Sequence, residues 1–314
     1  MWKKLEKKGV TMEIQSNLQL YDTIINSLRD KFKDRQGIHL SDLIFCLGPD
    51  TKVLRDNLTW DTISNLKIGD GLIGIEEYPR KPVARRRMCQ TFVTDYKTYN
   101  LPSFKLKFSN GQEITTSADH LWLCFTPSKQ MRTWRRTDKL QIGSVMSHLC
   151  EPWEFMNNWA GGYLAGAYDG EGSSYKGIVT FSQKENPMYH MVKDLLDILD
   201  ISYYINKSMK DCIVLQVSGV DNAMRLIGSI QARRLISRKS LWLDKEPRKA
   251  RNHPEVRLVS KEAIGQKLLV SIETTSHTFN AEGFWTHNCL RKAYFRKMLE
   301  SPPATDEQLM LFAT

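Results

Sequence analysis

The feature that most constrains this chain is a change of pattern that later reverses. From Cys46 onward, short strand-like pieces, Val53-Leu54, Leu66 to Ile68, Phe104 to Phe108 and Ile114 to Thr116, alternate with turn signals such as Gly69-Asp70-Gly71 and Asn110-Gly111. Over residues 151–250 the pattern changes. Met188, Val192, Leu195, Leu196 and Leu199 fall at helical spacing, Ile201 to Ile205 and Cys212 to Val217 read as strands, and Asp221 to Ile236 reads as a helix. After residue 255 strand character returns, in Lys267 to Glu273 and Thr278 to Trp285. A chain in this order leaves one fold and re-enters it. The expected fold class is therefore mixed: an all-β domain in two pieces, interrupted by an α+β domain. Ahead of it, residues 13–45 carry a helical stretch with Leu18, Leu20, Ile24, Ile25 and Leu28 on its apolar face.

The length of 314 residues suits about two domains of ~150 residues each. No apolar run approaches the ~20 residues of a membrane helix, and the start lacks the apolar stretch of a signal peptide, so a cytoplasmic, non-membrane protein is expected. The net charge is +10, with basic residues clustered at Arg80 to Arg87, Lys129 to Lys139 and Arg233 to Arg251. Such an excess suits a polyanionic partner, or a set of solvated faces. The six cysteines show no CxxC pairing, which argues against a zinc site and leaves thiols available as nucleophiles.

Chemistry concentrates at His287-Asn288-Cys289. An Asn side-chain amide can attack its own backbone carbonyl, close a succinimide and break the following peptide bond. A neighbouring His can polarise that carbonyl or protonate the leaving amine, because it titrates near neutrality. A Cys just after the break can accept an acyl group. Three other features accompany this tripeptide. Cys46 opens Cys46-Leu47-Gly48-Pro49-Asp50 where the β pattern begins; Ser117-Ala118-Asp119-His120 follows a strand; His277 stands eleven positions before Asn288.

In this order the motifs resemble those of inteins, whose splicing domain has the horseshoe-like all-β Hint fold. The resemblance covers residues 46–150 and 251–288 and implies self-excision of residues 46–288. It implies that the Cys46 thiol attacks the carbonyl of Phe45, that Cys289 takes over the acyl group, that Asn288 cyclises, and that Phe45 ends bonded to Cys289. It further implies that His120 acts on the first scissile amide, that Ser117 replaces a hydrogen-bonding Thr, and that His277 and His287 assist cyclisation. Many members carry an Asp seven residues before the His277 position. This chain has Val270 there, which implies altered coordination of the steps.

The interruption has its own signature. Gly162, Gly166 and Gly170 recur every four residues and so share one helical face, a costly choice unless something approaches closely. Asp169 and Glu171 lie at the end of that helix, where the dipole disfavours carboxylates, with Gly172 as a cap. Residues 164–172 resemble the motif of LAGLIDADG homing endonucleases, and the domain so implied covers 151–250. The resemblance implies Glu171 and Asp169 as ligands for a catalytic Mg²⁺, and Gln183 and Lys239 as further active-site residues. With one copy of the motif it also implies a homodimer on double-stranded DNA, cut at the uninterrupted host-gene site. The alternative is an insert that only binds DNA or is inert. A third reading is a DNA-binding regulator with structural Cys and His residues.

The flanks, residues 1–45 and 289–314, would join as Leu43-Ile44-Phe45 followed by Cys289-Leu290-Arg291. This short stretch resembles CRISPR-associated RecB-type PD-(D/E)xK nucleases. No nuclease core lies within it, so no nuclease activity is expected from the flanks.

Overall fold

The structure is a computed structural model and describes residues 45–79, 86–126, 131–175, 177–207, 211–247 and 255–288. The helix expected over residues 13–45, Cys289 and the flank after it fall outside these, apart from Phe45 itself.

The strands of the β unit are β1 (Lys52–Leu54), β2 (Trp60–Thr62), β3 (Gly71–Ile75), β4 (Met88–Phe108), β5 (Glu113–Ser117), β6 (Leu121–Thr126) and β7 (Met131–Arg136), then β12 (Leu258–Thr274), β13 (Thr278–Ala281) and β14 (Phe284–His287) after the interruption. Among the described residues one sheet runs β2-β1-β13-β14-β6-β7, so strands from the two ends of the sequence alternate within it. Val53 pairs with Ala281, and His287 with Leu121. The long strands β4 and β12 pair along most of their length as an antiparallel ribbon with three register shifts, and β3 and β5 both pair with β4. The β pattern that resumed after residue 255 does return to the same fold.

Two strand expectations are corrected. Leu66 to Ile68 form no strand, because Asp70 competes for the backbone: its carboxylate accepts from the Lys67 N–H at 2.8 Å while its own N–H donates to the Lys67 carbonyl. Thr278 to Trp285 is a hairpin rather than one strand, turning at Glu282-Gly283 with φ of 50° and 86°. Glycine is required there, since a Cβ at Gly283 would lie 1.7 Å from the Cys150 carbonyl oxygen.

The interruption is an α+β unit as expected. Helices α1 (Trp159–Glu171), α2 (Pro187–Ile198), α3 (Val220–Ile230) and α4 (Arg233–Ile236) accompany a sheet of order β10-β11-β9-β8, with β8 (Gly172–Tyr175), β9 (Ile178–Lys184), β10 (Tyr204–Lys207) and β11 (Cys212–Ser218). Asn158 and Asn186 start α1 and α2, each side chain accepting an N–H from the first turn at 2.9 Å, and Pro187 supplies a pre-set first residue to α2. Ile201 does not open a strand. It is buried and donates its N–H to Leu196 O, closing α2 after Asp200 adopts φ of 51°. The helix expected over Asp221 to Ile236 is broken at Gln231, which adopts a left-handed φ of 53°.

The two units share a core. One apolar cluster joins Leu54, Leu58, Ile75, Met88 and Trp153 to Leu164, Tyr168, Leu226, Ile227 and Trp242. At this junction the Trp153 indole donates to the Leu58 carbonyl at 3.1 Å. A Cβ on Gly228 of α3 would lie 2.5 Å from that carbonyl, so only glycine lets the helix dock. A second cluster, with Leu47, Val53, Trp122, Val270 and Phe279, fills the β unit. No helix among the described residues is long and apolar enough to cross a membrane.

Candidate functional site

The alternation of N- and C-terminal strands brings both ends of the interrupted β unit together. Cys46 precedes β1 and is fully buried, packed with Leu269, Tyr99 and Leu101. Its backbone is clamped by the end of β5. The Cys46 N–H donates to Ser117 Oγ at 3.1 Å, while its carbonyl accepts from the Ser117 N–H at 3.0 Å and from Thr116 Oγ1 at 3.2 Å. The nitrogen of the Phe45–Cys46 peptide is therefore held by a side-chain hydroxyl. The five described cysteines, Cys46 among them, form no disulfide.

His120 sits in the turn between β5 and β6, its carbonyl held by the Thr137 N–H and hydroxyl. Its ring is buried, with Trp122 at 4.8 Å and Phe45 at 6.4 Å between centroids, and neither ring nitrogen has a hydrogen-bond partner among the described residues. Burial, followed by the neighbouring charge of His287, pushes its pKa down to about 3. The imidazole is thus neutral at physiological pH, with a donor and an acceptor nitrogen both available.

At the other end, β14 delivers His287 and Asn288. The Asn288 N–H donates to the His277 carbonyl at 3.0 Å. Its side-chain nitrogen donates to Thr274 Oγ1 at 3.0 Å and to Thr274 O at 3.3 Å, and its side-chain oxygen is buried with no hydrogen-bond partner among the described residues. His287 Nδ1 lies 2.8 Å from the Asn288 carbonyl oxygen, and Nε2 lies 3.0 Å from Glu77 Oε1. His277, held at φ of 59° in the β12–β13 turn, stacks near His287 with centroids 6.4 Å apart and planes 14° apart. Phe45 lies against both His120 and His287, the latter at 6.2 Å. The residue before Cys46 therefore bridges the two histidines, which sit on either side of the break in the chain.

Cys46, Ser117, His120, His277, His287 and Asn288 thus converge, while Cys289 lies outside the described residues. Val270 pairs with Leu47 through two backbone hydrogen bonds, but its side chain belongs to the second apolar cluster; Leu269 faces Cys46 instead. Sequence reasoning missed Glu77, Thr274 and Trp134. Glu77 follows β3 and is 210 residues from its partner His287, so no local spacing could have revealed it. Burial raises the Glu77 pKa, but the hydrogen bond to His287 and the charges of His287 and His277 outweigh it and hold the carboxyl below its usual range. Trp134 of β7 packs edge-on against His287 at 5.1 Å.

In the α+β unit, the glycine face of α1 is open. Gly162, Gly166 and Gly170 are exposed, and a Cβ on any of them would meet nothing within 4 Å. Trp159 and Tyr163 lie beside them, ring on ring at 5.3 Å. Glu171 ends the helix, exposed and with no hydrogen bond or ion pair among the described residues. Asp169 is placed differently. Its two carboxylate oxygens accept from the Arg233 and Arg234 N–H groups at 3.0 Å, capping α4. Arg234 turns inward and closes the end of α1, donating to the carbonyls of Asp169 at 2.6 Å, Tyr168 at 2.8 Å and Gly172 at 2.5 Å. Gly172 caps α1 with extended backbone rather than in a left-handed conformation; glycine is needed because a Cβ would lie 2.3 Å from the Tyr168 carbonyl oxygen.

Gln183 lies at the end of β9, its oxygen accepting from the Lys184 N–H at 3.0 Å. Lys239 is occupied elsewhere, in an ion pair with Asp56 at 2.8 Å that ties the two units together. One face of the sheet is apolar, with Val179, Phe181, Leu215 and Val217 fully buried. The other is polar: Ser173 and Thr180 pair at 2.6 Å, Asn206 donates to Gln216 at 3.1 Å, and Gln216 donates to Ser218 at 2.9 Å. Among the described residues no group of three or more His, Cys, Asp or Glu could hold a metal ion.

Residues 158–237 match the sequence model of the LAGLIDADG-like domain. No curated protein matches the chain. Among solved structures it is similar to a DnaB intein from Synechocystis sp. PCC 6803, with 10% identity, a TM-score of 0.37, and coverage of 78% of this chain and 98% of that one. It is also similar to the gp41-1 intein, at 12% identity and TM-score 0.35, covering 78% and 98%. A third is the Msm DnaB1 intein splicing domain bound with zinc, at 14% identity and TM-score 0.34, covering 77% and 99%.

Proposed function

We propose that this chain, whose residues 158–237 form a LAGLIDADG-like domain, is a self-splicing intein that excises residues 46–288 and joins Phe45 to Cys289, and that its inserted domain is a metal-dependent DNA endonuclease. The observation that carries the splicing reading is the convergence of Cys46 and Asn288 with the histidines on one buried site, from opposite sides of the insert.

The Cys46 sulfur attacks the Phe45 carbonyl carbon. The neutral His120 ring accepts the thiol proton and returns it to the Cys46 nitrogen as the carbon–nitrogen bond breaks, leaving a thioester and a free amine. Ser117 Oγ accepts that nitrogen's hydrogen and fixes the orientation of the amide. The Cys289 thiol then displaces Cys46 from the acyl carbon, giving a branched chain. Asn288 Nδ2 attacks its own backbone carbonyl carbon, the bond to Cys289 nitrogen breaks, and that nitrogen takes up a proton. His287, on the carbonyl oxygen at 2.8 Å, donates to the charge developing there. The new amine of Cys289 attacks the thioester and makes the Phe45–Cys289 peptide.

For the insert, the open glycine face of α1 supports docking of a second copy, and the polar face of the β10-β11-β9-β8 sheet supports a DNA contact. Glu171, exposed and unengaged, fits a metal ligand that needs the same carboxylate from the second copy. Such a pair would hold Mg²⁺, which when bound polarises the scissile phosphate and activates water. Asp169, each of whose oxygens accepts one backbone N–H, also caps α4. The ion pair that occupies Lys239 favours the second reading, an insert that binds DNA without cutting it.

The mass of the expressed product tests splicing. Ligated flanks and an excised segment are expected, with Cys46→Ala abolishing both; an intact chain under reducing conditions would refute the reading. For the insert, linear DNA carrying the uninterrupted host site is incubated with Mg²⁺. Cleavage lost in Glu171→Gln supports the endonuclease, and binding without cleavage in both chains supports the second reading.

A further inference from the structure

The contacts of His287 pose a donor–acceptor problem. Its Nδ1 faces a carbonyl oxygen and its Nε2 faces a carboxylate, and both are acceptors. The two contacts can be hydrogen bonds together only when each ring nitrogen carries a hydrogen. Glu77 is held to make this so. Its carbonyl accepts from the Trp134 indole at 3.2 Å and from Arg86 Nε at 3.1 Å, and Arg86 lies over the Trp134 ring at 5.4 Å. Trp134 in turn packs edge-on against His287. The His287 side chain is 2% exposed and that of Glu77 18%, so water screens the pair little.

We infer that Glu77 is a positioning residue for Asn288 cyclisation: its carboxylate fixes the His287 ring with Nδ1–H on the Asn288 carbonyl oxygen and stabilises the doubly protonated ring as charge develops there. The inference rests on the splicing reading above. In the step it serves, the Nδ2–carbon bond of Asn288 forms, the carbon–nitrogen bond to Cys289 breaks, and the leaving nitrogen gains a proton. Glu77 exchanges no bond with the reacting atoms. The other titratable or charged groups facing this pair are His120, His277, Tyr78, Arg86 and, beyond Arg86, Arg132 and Glu76.

The test separates the two ends of the reaction in the full chain. C-terminal cleavage is timed in a Cys46→Ala background, and dithiothreitol-induced N-terminal cleavage in an Asn288→Ala background. Glu77→Gln keeps a hydrogen-bonding oxygen but removes the charge. It should slow C-terminal cleavage about tenfold or more and leave N-terminal thiolysis within about twofold. Glu77→Asp should recover part of the rate. Equal C-terminal rates in Glu77→Gln and its parent, no recovery in Glu77→Asp, or an equal loss at both ends would overturn the inference. If neither cleavage occurs with Glu77 intact, the splicing reading fails and takes this inference with it.

Discussion

Acidification should destabilise this protein in part through His120, by an amount that its burial sets. Its ring is fully enclosed, flanked by Phe45 and Trp122, with no partner for either nitrogen among the described residues. Burial lowers its pKa from 6.5 to about 3. Between those values the unfolded chain binds a proton that the folded chain refuses. The stability contribution is therefore complete above pH 6.5 and is lost as pH falls through the window toward 3. Each pH unit in that window costs about 1.4 kcal/mol, so at pH 4.5 the loss from this ring is about 3 kcal/mol. The assay is urea unfolding of a chain blocked by Cys46→Ala and Asn288→Ala, at pH 7.5 and 4.5, with His120 and with His120→Gln. Other acid-sensitive groups, Glu77 included, are common to both and cancel in the difference. The acid loss should be about 3 kcal/mol smaller in His120→Gln. Equal acid losses in the two chains, or a folded-state imidazole resonance titrating near its ordinary value, would refute the reasoning and with it the neutral His120 proposed for the first step.

Three further outcomes follow from local geometry. Gly166→Ala should stabilise the monomer by about 1 kcal/mol, seen as a raised melting temperature, because helix propensity improves and the new Cβ meets nothing within the protomer; the same change should weaken homodimer formation in sedimentation velocity. Arg234→Ala should cost about 3 kcal/mol in urea unfolding, since it strips a charged donor from three carbonyls at the end of α1. Thr274→Val keeps the shape but removes the hydroxyl that holds Asn288 Nδ2 at 3.0 Å, and C-terminal cleavage in a Cys46→Ala chain should slow about tenfold.

What the sequence disclosed was order and local period. The reversal of pattern showed that the β unit is discontinuous, because alternation and turn residues act over a few positions and survive any insertion between them. The ordered motifs at Cys46, Ser117, His120, His277 and His287-Asn288 pointed to residues that the sheet then brings together. Partnerships across the fold were not legible. Glu77 meets His287, and Asp169 meets the backbone of α4, through chain crossings that leave no mark on spacing. Two acids at the end of a glycine-rich helix look alike in the sequence; only the placement of α4 shows that Asp169 caps a neighbour while Glu171 stays exposed. Val270 read as a sign of altered step coordination, and its place in the apolar cluster, set by the pleat, was not legible from spacing.

The shared core at Leu58, Trp153 and Gly228 has an evolutionary consequence. Excising the inserted unit in one step would expose Leu54, Ile75, Met88 and Trp153 to water and leave a half-built interior in the β unit. Removing the insert would therefore have to be accompanied by changes at these apolar positions. Substitutions at exposed groups such as Glu171 spare the fold, so an insert that had lost its proposed activity would persist as scaffolding for the β unit around it.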